Sequence, residues 1–272
     1  METIEIIGYL GAIVVGVLVA LVGAGGSILT VPILVYLFGV APVAATGYSL
    51  LIIGITSFIS TFGYIYRKLI NYRIVVLFGI PSIIAVYLTR RFLVPMIPIE
   101  IYEQGNLLIT KDSFLMLLLG VLIMISAIFM VSLKNNCQPN EPPVKISSFQ
   151  YSRMILIEGV IIGVLTGFVG TGGGFMIIPA LVILCQIPIK TAVGSALLIA
   201  AFKSGIGFLG EIGNNPDIDY QLIGVFTGLA LIGIAIGNFL SQKVSGYRLR
   251  NAFGYFILVI AIFILIREYM NL

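Results

Sequence analysis

The chain has 272 residues, of which 60% are hydrophobic and only 10% charged, with a mean hydropathy of +1.16 and a formal net charge of +4. A soluble domain carries about 25% charged residues, so this chain cannot coat itself with a water-facing surface and reads as an all-α integral membrane protein. A β-barrel is excluded because the apolar runs are continuous rather than alternating.

Ten apolar segments follow one another, at 4–22, 27–40, 43–65, 74–89, 114–133, 154–169, 174–187, 191–209, 221–241 and 249–266. Most are long enough to span a hydrocarbon core of about 30 Å; the second and seventh, at ~1.5 Å per residue, reach only about 21 Å. The start, METIEIIGYL, carries Glu2 and Glu5 where a cleaved signal needs basic residues, and is read as the opening of the first span. Between the segments lie YRKLINYR, a longer polar gap from Arg90 to Asp112, and later EIGNNPDIDYQ and QKVSGYRLR. The stretch from Lys134 to Arg153 is read as a cytoplasmic linker between a first membrane unit, 1–133, and a second, 154–272.

The two units repeat. An offset of 147 residues lays Gly16-Val17-Leu18 on Gly163-Val164-Leu165, Gly25-Gly26 on Gly172-Gly173, and Pro32 on Pro179. Ala45, Gly47, Leu50, Leu51, Ile52, Ser57 and Gly63 also meet identical residues. A repeat of half an apolar chain points to the two-fold architecture of a secondary transporter. If all ten segments cross from an outside N-terminus, Arg67, Lys68, Arg73, Lys134, Lys145, Arg153, Lys190, Lys243, Arg248 and Arg250 gather in the cytoplasm. Arg90, Arg91 and Lys111 stay outside with Arg267 and an acidic loop holding Glu211, Asp217 and Asp219. That bias obeys the positive-inside rule, and five crossings per unit make the second unit inverted. Tyr64, Tyr66, Tyr72, Tyr151, Tyr220 and Tyr247 lie at segment ends, where amphipathic rings favour the headgroup level.

Both short segments follow a glycine-rich break, GAGGS at Gly23 to Ser27 and GTGGG at Gly170 to Gly174. Such backbone is tolerated at membrane depth only inside protein or along a watery cavity. In an inverted pair the breaks enter from opposite faces and meet near the midplane. Each starts a helix whose amides and positive dipole end favour an anion, and Ser27, Thr30 and Thr171 add hydroxyls. The competing reading is close helix packing, which glycine also serves; the chain has 31 glycines. The breaks lack the Gly-Lys-Ser/Thr ending of a phosphate-binding loop.

Lys203 lies well inside the eighth segment, where a charge needs a cavity or a partner. It can meet an anionic substrate or carry a proton; a fixed ion pair or snorkelling to an interface is the alternative. Its counterpart in the first unit is Thr56, followed by Ser57 as Lys203 is followed by Ser204. Glu158 reads as a surface carboxylate or a coupling group. Ser49 and Ser195 read as cavity donors or packing residues. With no histidine and no nucleophile–base motif the chain is not read as an enzyme. Cys137 and Cys185 lie too far apart for a metal or redox pair, and no cofactor, metal or nucleic acid is called for.

At these breaks the chain resembles the sulfite exporter TauE/SafE family of membrane transporters. The resemblance rests on GVLVALVGAGGSILTVPILVYLFG with APVAATGYSLLIIGITSF, and on GVLTGFVGTGGGFMIIPALVILCQIPIKTAVGSALLIAAFKSGIG. It implies transport of sulfite, sulfoacetate or related sulfonates across the cell membrane by alternating access, with a coupling proton or cation. The polar stretch from Arg91 to Asp112 is longer than a compact member has. The expected substrate site comprises Gly25, Gly26, Ser27, Thr30, Thr56, Ser57, Thr171, Gly172, Gly173, Gly174, Ser195, Lys203 and Ser204. The expected partners are this anion and membrane lipid, with room for a homo-oligomer. A passive anion channel and a non-transporting scaffold remain the alternatives.

Overall fold

The computed structural model describes residues 2–104, 107–132, 148–183, 187–212, 218–241 and 246–271. Every apolar segment forms a helix. Long helices are α1 (Glu2–Val22), α3 (Pro42–Tyr66), α4 (Tyr72–Leu88), α6 (Lys111–Ser132), α7 (Ser148–Val169), α9 (Ile189–Glu211), α10 (Tyr220–Leu240) and α11 (Gly246–Asn271). Between them lie α2 (Thr30–Tyr36), α8 (Gly174–Ile183) and a single turn, α5 (Val94–Met96). Among the described residues seven helices are long and apolar enough to cross a membrane. They coincide with segments one, three, four, five, six, eight and nine. The two short segments are indeed short helices, and the tenth forms α11.

Local signals account for the ends. Asn71 caps α4 by accepting from the Ile74 amide at 3.3 Å, and Asp219 caps α10 through the Leu222 amide at 2.9 Å. Pro42 opens α3, where its missing N–H costs nothing. Beyond Leu88 the helix continues through a π-turn, Thr89–Leu93, into α5. Pro95 cannot donate to the carbonyl four residues before it, and the chain widens there by bonding the Val94 amide to Thr89 O instead. The polar gap after Arg90 is therefore helical at its start. It also holds an antiparallel hairpin of β1 (Glu100–Gln104) and β2 (Leu107–Thr110), a departure from the all-helical expectation. α7 begins at Ser148, inside the stretch read as linker; residues 133–147, with Lys134, Cys137 and Lys145, lie outside the described residues, as do Cys185, Asp217 and Lys243.

Polarity is arranged inside out. Leu10, Phe62, Ile84, Phe129, Ile161, Phe239 and Val259 are exposed around the outside, whereas Ser27, Thr46, Ser49, Thr56, Ser57, Lys203 and Ser204 are buried. Only lipid makes that distribution favourable, and the chain is a multi-pass membrane protein. α1 packs along α10, and α7 packs along α4; α3 meets α9, and α6 meets α11. Small residues bring the paired helices together: a Cβ at Gly16 would strike Ala230, one at Gly233 would strike Ile13, and one at Gly163 would strike Ser82 and Ala85. Tyr66, Tyr72 and Tyr220 are exposed at helix ends as expected, but Tyr64 is not an interface residue: it is buried, and its hydroxyl donates to Ala20 O at 3.1 Å.

Candidate functional site between the glycine breaks

The two breaks meet although 144 residues separate their contacting groups: Ser27 Oγ donates to Thr171 O at 2.6 Å. They are built differently. The first is wound into a 3-10 helix, Gly23–Leu29, which feeds α2 and bends away from α1 at Gly23, where φ is +74°. The amides expected to be free at Ser27 and Thr30 are thus partly spent within the turn, Thr30 N donating to Ser27 O. The second break is an open loop in which Gly170, Gly172 and Gly173 have φ of +69°, +64° and +68°. L side chains avoid that region by roughly 1–2 kcal/mol per residue, which is why glycine occupies it three times. α8 starts directly after; its Met176 and Ile177 amides donate to Gly173 O at 3.0 Å, and the Gly174 and Phe175 amides precede them at the helix start.

α9 lays its polar stripe against this second break. Lys203 is fully buried, and its ammonium donates to Thr166 Oγ1 on α7 at 3.0 Å. It also sits 2.8 Å from where a Cβ of Gly173 would be. Among the described residues no carboxylate lies within 4.0 Å of it. Ser204 Oγ lies 2.7 Å from the corresponding position of Gly172. Among the described residues Thr30, Ser57, Thr171 and Ser204 each hold a buried hydroxyl with no hydrogen-bond partner. From α3, Ser49 Oγ donates to Gly170 O at 2.5 Å. A buried cation and unsatisfied hydroxyls are costly unless something answers them, and Lys203 and Ser204 bring such groups against the second glycine break.

The expected residues are not all in one place. Ser27, Thr171, Gly172, Gly173, Gly174, Lys203 and Ser204 gather at the meeting of the breaks. Thr56 spends its hydroxyl on Ile52 O of its own helix at 2.7 Å. Ser195 lies toward the other end of α9, where it accepts from the Asn71 amide at 2.9 Å. Gly25 and Gly26 lie within the 3-10 turn, and a Cβ at Gly26 would run into the backbone of α1 at Leu18 and Val19. Glu158 is half-buried on α7, with Oε2 unpartnered.

Three residues lay outside the expected set. Thr166, the hydroxyl that holds Lys203, has the apolar Val19 as its counterpart and gave no repeat signal. Arg90 and Glu211, expected in outside loops, are instead buried together: Arg90 NH1 lies 3.3 Å from Glu211 Oε2 and donates to Thr46 Oγ1 at 3.0 Å, while its NH2 donates to Phe168 O at 3.4 Å. The π-turn carries Arg90 into the bundle, and Glu211 ends α9 beside it. Each adjoins an apolar run in sequence; only the packing of α4 against α9 pairs them.

A helical membrane bundle whose buried polar residues lie between two broken segments has the build of a membrane transporter. The family profile of the sulfite exporter TauE/SafE matches residues 8–264, and the chain belongs to that family. It is similar to a "Probable membrane transporter protein" of Xylella fastidiosa (strain Temecula1 / ATCC 700964), 24% identical over 261 residues, covering 95% of this chain and 94% of the relative. It is also similar to "Probable membrane transporter protein MJ0441" of Methanocaldococcus jannaschii, 27% identical over 93% of this chain and 92% of the relative. A third relative, "Probable membrane transporter protein YunE" of Bacillus subtilis (strain 168), is 29% identical over 72% of this chain and 73% of its own length. No solved structure matches the chain.

Proposed function

We propose that this protein is a secondary transporter for small sulfur oxyanions or organosulfonates, sulfite and sulfoacetate being the type substrates, and that it works by alternating access coupled to an ion gradient. The observation that carries this reading is Lys203: a buried ammonium with no carboxylate beside it among the described residues, set against a glycine loop and a helix start. A charge at such depth costs about 2.5–3.5 kcal/mol on insertion scales. A sulfonate or sulfite supplies the missing counter-charge and three oxygens for Lys203, Ser204, Thr171 and the amides that open α8. The coordinating groups match a compact, strongly hydrated anion, which needs many donors to replace its water.

The exchange of helix partners supports two inverted units related by a two-fold axis. At an offset of 147 residues α1 corresponds to α7 and α4 to α10, so the α1–α10 and α7–α4 pairs are the same contact made twice. α3 and α9 correspond to each other and carry the site where they cross. On this reading the second unit begins with α7 at Ser148, inside the 134–153 stretch read as linker. Lys203, Ser204, Ser27 and Thr171 have no solvent exposure, so the site is closed to both sides. A closed site favours a carrier, which seals its substrate between two openings, over a channel with a continuous pore.

The test is sulfite movement in proteoliposomes under an imposed pH gradient. Accumulation above the external sulfite concentration is expected. Equilibration without accumulation would make the protein a channel, and no flux of sulfite or sulfoacetate would remove the substrate assignment.

A further inference from the structure

The second glycine break has a cation on each side. Lys203 stands against Gly173 at one side; Arg90 stands at the other, its NH2 and the Thr46 carbonyl both crowding the place a Cβ of Gly170 would take. Between them the loop offers Thr171, whose buried hydroxyl has no partner among the described residues. Along the four residues Gly170–Gly173 the two cations are thus joined by a loop that also meets Ser204 Oγ at Gly172, beside the apolar Ile53. Arg90 is occupied, but by a carboxylate: Glu211 sits where an oxyanion would sit, at 3.3 Å from NH1. A carboxylate and a sulfur oxyanion present the same paired oxygens to a guanidinium fork, so one can replace the other without leaving the arginine bare. Glu211 is the last residue of α9, so its side chain has only a helix end to clear. The corresponding place at the other end of the bundle, 147 residues earlier, holds Tyr64, which has no charge to exchange.

We propose that Arg90 is a second anion-binding site, that Glu211 is its resident counter-ion, and that the transported anion displaces Glu211 as it passes along Gly170–Gly173, parting α9 from the π-turn and opening that end of the path. This rests on the sulfur-oxyanion reading of the Lys203 site. Thr46, which also accepts from Arg90, and the Phe168 carbonyl hold the guanidinium in place during the exchange.

The test is a sulfite titration of the purified full-length protein, read by its thermal stabilisation, for wild type, Glu211→Gln, Arg90→Gln/Glu211→Gln and Lys203→Gln. Glu211→Gln removes the competing charge and is expected to tighten sulfite binding about tenfold, the scale of one charge-assisted hydrogen bond. The double variant, which strands no charge, is expected to lose that gain. If Glu211→Gln does not fold, Glu211→Asp keeps the charge but draws the carboxylate back, and a tightening in the same direction is expected. Unchanged affinity in Glu211→Gln or Glu211→Asp, with binding abolished in Lys203→Gln, would make Arg90–Glu211 a static clasp and overturn this proposal alone. Sulfite stabilising none of the proteins would overturn both it and the substrate reading.

Discussion

Lys203 and Arg90 are both fully buried cations, yet they stand in opposite situations. Arg90 is neutralised by Glu211, and the two are fixed by Thr46 and Phe168. Lys203 has one hydroxyl. Removing one member of a buried ion pair leaves a stranded charge, which costs about 3–5 kcal/mol. Glu211→Ala is therefore expected to lower the melting temperature in detergent sharply, and Arg90→Gln/Glu211→Gln to recover most of the loss. Lys203 behaves the other way. Its charge is held at a cost that no carboxylate repays, so Lys203→Gln is expected to melt no lower than wild type. A marked loss of stability in that variant would show that the ammonium holds the bundle together rather than waiting for a ligand. Thr166 completes the contrast: it holds Lys203 while bonding Ile162 O at 2.7 Å, a hydroxyl serving both its own helix and a neighbouring cation.

The glycine breaks are where sequence and structure diverge most. That each break would precede a short helix was legible from segment length and the repeated Gly-Gly and Pro offsets. That the breaks would meet was legible from the repeat. Their different conformations were not: the first contains Ser27 and Ala24, which accept helical turns, and it winds up, while Gly170-Thr171-Gly172-Gly173 stays open. The Arg90–Glu211 pair was hidden for another reason. A π-turn shifts the helix phase, so counting residues from Leu88 places Arg90 outside the apolar run although the backbone turns it inward. The hairpin at 100–110 was likewise masked by a composition that read only as a long polar gap. Glycine substitutions separate the two uses of the residue. Gly172→Ala and Gly173→Ala force a side chain into the left-handed region and into Ile53, Ser204, Thr166 or Lys203; each is expected to abolish sulfite flux. Gly224→Ala and Gly228→Ala on α10 meet nothing within 4 Å, and are expected to leave flux intact and stability within about 1 kcal/mol, the helix propensity gap.

At the scale of the whole molecule, the apolar exterior and polar seam make one prediction about motion. The seam is closed to solvent, so transport requires the helices carrying α3 and α9 to separate at one end and then at the other. A cysteine placed at Ser204, with Cys137 and Cys185 changed to serine, is expected to resist a membrane-impermeant thiol reagent at rest and to react during sulfite turnover. Rapid labelling at rest from one side would identify an open path where a closed one is described. The anion itself is expected at Lys203, between the breaks. The most direct measurement is gradient-driven sulfite flux in proteoliposomes for wild type beside Lys203→Gln, with equal incorporation and equal helical content verified. A loss of about two orders of magnitude or more, the scale of a charged hydrogen bond removed from a dry site, is the predicted result. Equal flux in the two proteins would contradict the account and return Lys203 to a structural role.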